Sequence, residues 1–222
     1  MNVLLLCDDT WHPAEIIELG LNAMDREEMT FQVVKTAKDI LTPEYVRRFD
    51  ALVNCHGSSI NASNSAPWFE KGVTEFGPEE FRDYVAQGGG LVVVHSGLTI
   101  GGDRDPQPAY TEAVGSYFVN HPPREMTHVH ITAENEITRG VGDFSERDEH
   151  YQIRITANGI EPFLETASDH GGVTISGYRR HFGRGRVAAL TPGHTLAVWA
   201  NPEFQKLFKN AIRWAAGKKQ MQ

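Results

Sequence analysis

Three histidines stand where an aliphatic run gives way to turn residues. Leu91-Val92-Val93-Val94 runs into His95-Ser96-Gly97, Leu52-Val53-Asn54-Cys55 into His56-Gly57, and Val187-Ala188-Ala189-Leu190 leads to Pro192-Gly193-His194. A fourth such place, after Val3-Leu4-Leu5-Leu6, carries Cys7-Asp8-Asp9. In open α/β sheets ligands bind beyond the carboxyl ends of the parallel strands, so these residues are placed to meet one. An imidazole serves there as acid, base or metal ligand near neutral pH. The run into His95-Ser96-Gly97 has the form of a nucleophile elbow, where a sharp turn presents one side chain above the sheet. That residue is normally Ser or Cys; here it is His95, a poor hydrolytic nucleophile. Ser96 could act as one only if His194 served it.

Asp148-Glu149-His150-Tyr151 packs two acids, an imidazole and a phenol together. It reads as a site loop or as a charged turn. His95, His194 and Glu149 are the catalytic candidates. Two imidazoles and a carboxylate also make an open zinc-type ligand set, so a divalent metal on those three residues is one expectation. An organic acid–base pair fits the same residues, and the identity of any cofactor stays open. His56, Ser58, Ser96, His121 and Asp8 are the expected substrate contacts. His128 and His130, two apart on a strand, face one way. They fit the solvent side of that strand better than a metal pair. His12, His170 and His181 lie in polar surroundings and read as surface residues. Cys7 and Cys55 read as buried packing residues; a hydrolase using one of these thiols is the weaker alternative. Gly183-Arg184-Gly185-Arg186 is a turn rather than a phosphate loop, because no helix start follows it.

The elements that must position these groups can be read from hydrophobic periodicity. Asn2 to Cys7, Phe31 to Thr36, Asp50 to Cys55 and Leu91 to His95 read as buried strands. Helical patterns opened by Pro13, Pro43 and Pro78 alternate with them. Pro suits a first helical turn, since its missing N–H would lack a partner there anyway. This alternation argues for an open, mostly parallel sheet with helices on both faces. Residues 57 to 77 form a long polar loop, a length usually tied to function. In the second half Met126 to Thr132, Tyr151 to Ile155, Phe163 to Glu165, Val173 to Arg179 and Arg186 to Leu190 read as strands. They are expected as antiparallel additions to the same sheet, closed by an amphipathic helix over Pro202 to Ala216. No linker divides the chain, so 1–217 reads as one domain, with 218–222 a C-terminal tail.

Composition bounds the partners. The formal charge of the 222 residues is −8, which repels nucleic acid and anionic membrane. A neutral small molecule such as a sugar meets no such objection. Met1 to Leu6 lacks a basic region or a cleavage site, and no apolar run nears the ~20 residues of a membrane span. With only two cysteines and no close-spaced motif between them, a reduced cytoplasmic protein is expected. The oligomeric state, a homo-oligomer included, stays open.

Taken in order, these pieces resemble the ThuA-like (trehalose utilisation) family. The matching stretches are Gly88-Gly89-Gly90-Leu91-Val92-Val93-Val94-His95, Val114-Gly115-Ser116-Tyr117-Phe118 with His121-Pro122, and Asp148-Glu149-His150-Tyr151. Gly183-Arg184-Gly185-Arg186-Val187 with Gly193-His194, and Asn210-Ala211-Ile212-Arg213-Trp214-Ala215, complete them. The resemblance spans almost the whole chain. It implies a flavodoxin-like sheet of the class I glutamine amidotransferase kind, with His95 where that class keeps its catalytic Cys and His194 on the later strand. Glutamine hydrolysis is therefore not expected, for want of an elbow thiolate. It implies instead an enzyme of trehalose-type disaccharide metabolism, working by way of oxidised (keto) sugars. A non-catalytic sugar-binding or regulatory protein on the same scaffold is the alternative. The loop from Ser58 to Gly77 departs from the family pattern and is a candidate for setting the substrate.

Overall fold

A computed structural model describes residues 1–26, 28–35, 40–63, 65–70, 72–102 and 106–217. The expected tail at 218–222 and Thr36, the expected end of the second strand, lie outside the described residues. The chain runs β1 (Asn2–Leu6), α1 (Ala14–Ala23), β2 (Thr30–Val34), α2 (Pro43–Val46), β3 (Ala51–Asn54), α3 (Pro78–Ala86) and β4 (Gly90–Val94). A short 3-10 helix follows at His95–Thr99, then α4 (Pro108–Val114), β5 (Ser116–Asn120), β6 (Glu125–Ile131), β7 (Phe144–Asp148) and β8 (Gln152–Ile155). The chain closes with β9 (Glu161–Ser168), β10 (Gly172–Phe182), β11 (Gly185–Leu190), α5 (Leu196–Ala200) and α6 (Pro202–Ala215).

Nine strands form one sheet in the order β2-β1-β3-β4-β11-β10-β9-β6-β7. The first five are mutually parallel; from β10 onward every pairing is antiparallel. Strands covered on both faces need apolar side chains pointing both ways, which is why β1, β3 and β4 are continuous aliphatic runs. Alternation then divides them between two cores. Val3, Leu5, Val53, Val92 and Val94 pack with Ile17 and Leu21 of α1 and Phe204, Phe208 and Ile212 of α6. Leu4, Leu6, Leu52, Leu91 and Val93 pack with Phe81 and Val85 of α3 and Tyr110 of α4. Helices therefore cover both faces of the parallel half.

The second half departs from expectation most in its sheet. β11 joins the parallel set beside β4 instead of the antiparallel additions. β8 leaves the main sheet and pairs with β5 in a separate two-stranded ribbon. β7, Phe-Ser-Glu-Arg-Asp, is an edge strand that buries Phe144 and Asp148, too little apolar pattern to announce itself. The helix starts follow the sequence closely. Thr42 accepts a hydrogen bond from the Tyr45 N–H at 3.1 Å, and Asn201 accepts from Glu203 and Phe204 at the start of α6.

Gly97 sets how closely the strand-end turn after β4 can approach β3. A Cβ built there would lie 2.3 Å from the Asn54 carbonyl oxygen, a backbone atom that cannot step aside. Gly97→Ala is expected to lower unfolding stability by about 1–3 kcal/mol. Gly142→Ala, whose Cβ would stand 3.6 Å from a Glu203 carboxylate oxygen, is expected to stay within ~0.5 kcal/mol of the parent. Urea denaturation of both variants checks this; equal midpoints would refute the packing account.

Candidate functional site

The carboxyl ends of β1, β4 and β11 meet, and the turn after β7 joins them. β1 is left through Asp8, whose φ is 91°. The next residue, Asp9, closes the turn. Its Oδ1 accepts from the backbone N–H of Trp11 at 2.9 Å and of His12 at 3.0 Å, and from His12 Nδ1 at 2.7 Å. Its Oδ2 accepts from the Gly57 N–H at 2.9 Å, tying the end of β1 to the end of β3. Burial would raise this carboxyl, but His12 and Gly57 outweigh it and hold it at about 2. The ionised Asp9 fixes the His12 proton on Nδ1 and leaves Nε2 with its lone pair. The Tyr151 hydroxyl stands 3.2 Å from that Nε2.

His95 occupies the elbow after β4 with φ 45°, in the left-handed region. Its ring is almost wholly buried. Nδ1 donates to the Thr191 carbonyl at 2.7 Å, and Nε2 faces Glu149 Oε2 at 3.5 Å. His194 is set by its backbone. The buried Asp148 carboxylate accepts from the N–H groups of Gly193, His194 and Thr195 at 2.9, 3.0 and 3.2 Å. Burial pushes Asp148 up to about 6 in spite of them. His194 Nδ1 then lies 3.1 Å from Glu149 Oε2. The three imidazoles form a nearly equilateral group, with ring centroids 5.0, 5.0 and 5.3 Å apart.

One ligand-type atom from each of His12, His95, His194 and Glu149 falls within 4.8 Å of all the others. His95 Nε2 and His194 Nδ1 are buried and have no hydrogen-bond partner. Burial lowers His95 to about 4, so its ring is neutral. Burial would raise Glu149, yet its histidine neighbours hold it well below the usual carboxylate range. A neutral His95 imidazole beside an ionised carboxylate is the protonation state that metal ligation needs. Tyr151 stacks on His95 with centroids 3.7 Å apart. At the rim, His121 Nε2 lies 3.6 Å and Arg124 Nε 3.8 Å from the Glu149 carboxylate. His121 Nδ1 is taken up by the Pro122 carbonyl at 2.8 Å.

The structure thus brings together His95, His194, Glu149 and His121 of the sequence candidates. The others have their polar atoms engaged elsewhere or lie off the centre. Asp8 accepts from the Ala14 N–H at the start of α1 and from Ser63. The Ser96 hydroxyl donates to the Cys55 carbonyl at 2.6 Å and does not approach His194 as a nucleophile would. Ser58 follows Gly57, half-buried. His56 is fully buried, stacked on Trp68 at 3.8 Å, with Nδ1 against the Gly57 carbonyl. Cys7 and Cys55 are buried, and burial pushes both thiols up, away from thiolate chemistry. His128 and His130 are exposed, paired with Ser145 and Asp143. His150 turns away from its neighbours Glu149 and Tyr151, bonding Ser168 and Thr174 at 2.7 Å each.

His12, read from sequence as a surface residue, is the correction. Its side chain is 11% exposed and belongs to the centre. The overlooked signal is the Asp9-x-x-His12 spacing right after a buried strand, which lets the aspartate close the turn and hold the ring. Tyr151, the phenol of the candidate site loop, is brought to the centre as well, against His95.

His56 supplies an acid-side test. Burial lowers it from 6.5 to about 4, so the unfolded chain takes up this proton first as the pH falls. Its share of stability is whole above 6.5 and is lost progressively down to about 4, on the order of 3 kcal/mol. His56→Phe keeps an aromatic ring on Trp68 and is expected to flatten the fall in stability over that range. An unchanged slope in denaturation between pH 7 and 4 would contradict this.

The ThuA family model, described as trehalose utilisation, matches residues 5–215. A ThuA-like protein from Parabacteroides merdae ATCC 43184 superimposes with a TM-score of 0.74 at 16% identity, over 100% of this chain and 92% of that one. A cytoplasmic protein from Salmonella typhimurium gives 0.67 at 13% identity, over 97% and 99%. The β-galactosidase from Bacillus circulans sp. alkalophilus gives 0.64 at 14% identity, over 98% of this chain and 31% of that one, so this fold recurs as one part of a larger enzyme. No curated protein matches the sequence. With the family model covering nearly the whole length, the chain belongs to the ThuA family of trehalose utilisation.

Proposed function

We propose that this protein is an enzyme of sugar metabolism, acting on a disaccharide of the trehalose type or its oxidised, keto form. The observation that carries the reading is the convergence of His12, His95, His194 and Glu149 at the carboxyl ends of the strands, with two buried ring nitrogens left unpartnered. Unpaired buried polar atoms are costly for folding alone. The family's link to trehalose supports the substrate class. So does the charge of −8, which suits a neutral ligand better than a polyanion. No helix among the described residues is long and apolar enough to cross a membrane, and a structural relative is described as cytoplasmic, so we assign the activity to the cytoplasm.

The chemistry that fits is proton transfer beside a carbonyl. The C–H bond breaks, its electrons move to the carbonyl oxygen, and the proton passes to a base. His121 suits the base: its Nδ1 is held by Pro122, and Nε2 faces the centre from the rim, 3.6 Å from the Glu149 carboxylate. The charge that develops on oxygen then falls at the His12–His95–His194–Glu149 group. It needs a positive partner there, either a proton shared by His194 and Glu149 or a bound cation. Arg124 at the mouth is placed to bond a sugar hydroxyl.

Trehalose and keto-trehalose, followed for turnover and for deuterium exchange at carbons beside the carbonyl, test this reading. The parent protein is expected to exchange or convert the keto-sugar. His121→Asn and Glu149→Gln are each expected to lose about 100-fold or more while keeping the fold. Saturable sugar binding with neither exchange nor turnover would overturn it in favour of a binding protein.

A further inference from the structure

We propose that His12, His95, His194 and Glu149 form a divalent transition-metal site, with Asp9 and the Thr191 carbonyl orienting two of its imidazoles. The proposal deepens the functional reading of the same centre, but its evidence is the arrangement of protons and lone pairs. His12 has its Nδ1 proton committed to Asp9 at 2.7 Å, and His95 has its Nδ1 proton committed to Thr191 at 2.7 Å. Each ring therefore presents the lone pair of Nε2. His95 Nε2 faces the Glu149 carboxylate at 3.5 Å, and His194 Nδ1 faces it at 3.1 Å, with no hydrogen bond in either contact. The lone pair of His95 Nε2 set against an anion is repelled unless a cation sits between them.

The dimensions agree. Ligand atoms at the ~2.0–2.2 Å of zinc–nitrogen and zinc–oxygen bonds stand about 3.4 Å from each other in a tetrahedron. Two of the contacts, at 3.1 and 3.5 Å, have nearly that spacing, and the four atoms lie within 4.8 Å of one another. A small inward turn of the rings completes the set. The surrounding bonds are those that metal-ligating histidines make, the remote nitrogen donating to a carboxylate or a backbone carbonyl. Three imidazoles and one carboxylate select zinc or a neighbouring first-row ion over magnesium or calcium, which prefer all-oxygen ligands. A cation held by His12 Nε2 would take the acceptor that the buried Tyr151 hydroxyl now uses.

The probe is zinc itself, with untagged full-length protein stripped by a chelator and dialysed. About one equivalent of Zn²⁺ is expected to bind. At a hundredfold excess over the dissociation constant it should raise the melting temperature by roughly 5–10 °C. Glu149→Gln and His12→Asn are expected to weaken binding at least tenfold. Asp9→Asn, which touches no ion, is expected to weaken it roughly 10–100-fold. The surface double variant His128→Ala/His130→Ala should bind as the parent does. Uptake below a tenth of an equivalent for zinc, manganese and cobalt, with no thermal shift, would overturn the site. So would an equal shift in the parent, Glu149→Gln and His12→Asn. Because binding is read without substrate, the two ideas fail separately: keto-sugar turnover with no zinc uptake would end the metal site and leave the enzyme, and tight zinc binding without turnover would do the reverse.

Discussion

Two buried aspartates hold the site together. Asp9 gathers four N–H groups from the turn after β1 and from the end of β3, and Asp148 gathers three from the turn after β11. A carboxylate taken out of water is stable only when its oxygens are fully bonded. Each aspartate therefore dictates the path of a backbone segment, and each segment carries a histidine. Asp9 fixes His12 and its tautomer; Asp148 fixes where His194 begins. The third histidine needs no carboxylate. His95 is held by the elbow itself, at φ 45°, and by the Thr191 carbonyl.

These clamps act on a platform that the sheet provides. Parallel strands put the carboxyl ends of β1, β3, β4 and β11 along one edge, and helices on both faces keep that edge the open one. The antiparallel half contributes differently. β7 lies at the far end of the main sheet, yet it ends at Asp148, and the segment that follows brings Glu149 and Tyr151 back over the strand ends. His150, between them, serves the other side and pins Ser168 and Thr174. Four consecutive residues thus clamp a backbone, supply the site's carboxylate, brace the antiparallel half and stack on the elbow histidine.

The legible part of this arrangement is the part governed by continuous burial. Runs such as Leu91-Val92-Val93-Val94 announce a strand with both faces covered, and the residue that ends the run announces the sheet edge. His95 and His194 could be found that way, and Glu149 through its cluster. His12 could not, because it stands five residues past Cys7 in a polar turn, and only the Asp9 hydrogen bonds turn it inward. His56 shows the reverse. It satisfies the strand-end rule as well as His95 does, but Trp68, twelve positions on in the polar loop, folds back and buries it. Asp8 looks like a site acid by position and serves as the anchor of α1 and of Ser63. In each case a single long-range contact decides the role, and a pattern confined to neighbouring residues does not contain it. β7 escaped for a related reason, since an edge strand with alternating polar residues needs only its partner β6 to exist.

The central claim is that the strand ends converge to present lone pairs and a carboxylate to one point. Diffraction from crystals grown with zinc, measured on both sides of the zinc absorption edge, tests it most directly. The account predicts one anomalous peak bonded by His12 Nε2, His95 Nε2, His194 Nδ1 and Glu149 at about 2.0–2.2 Å. Anomalous peaks confined to surface residues such as His128, His130 or His170, with the three rings and the carboxylate bridged by water alone, would contradict it.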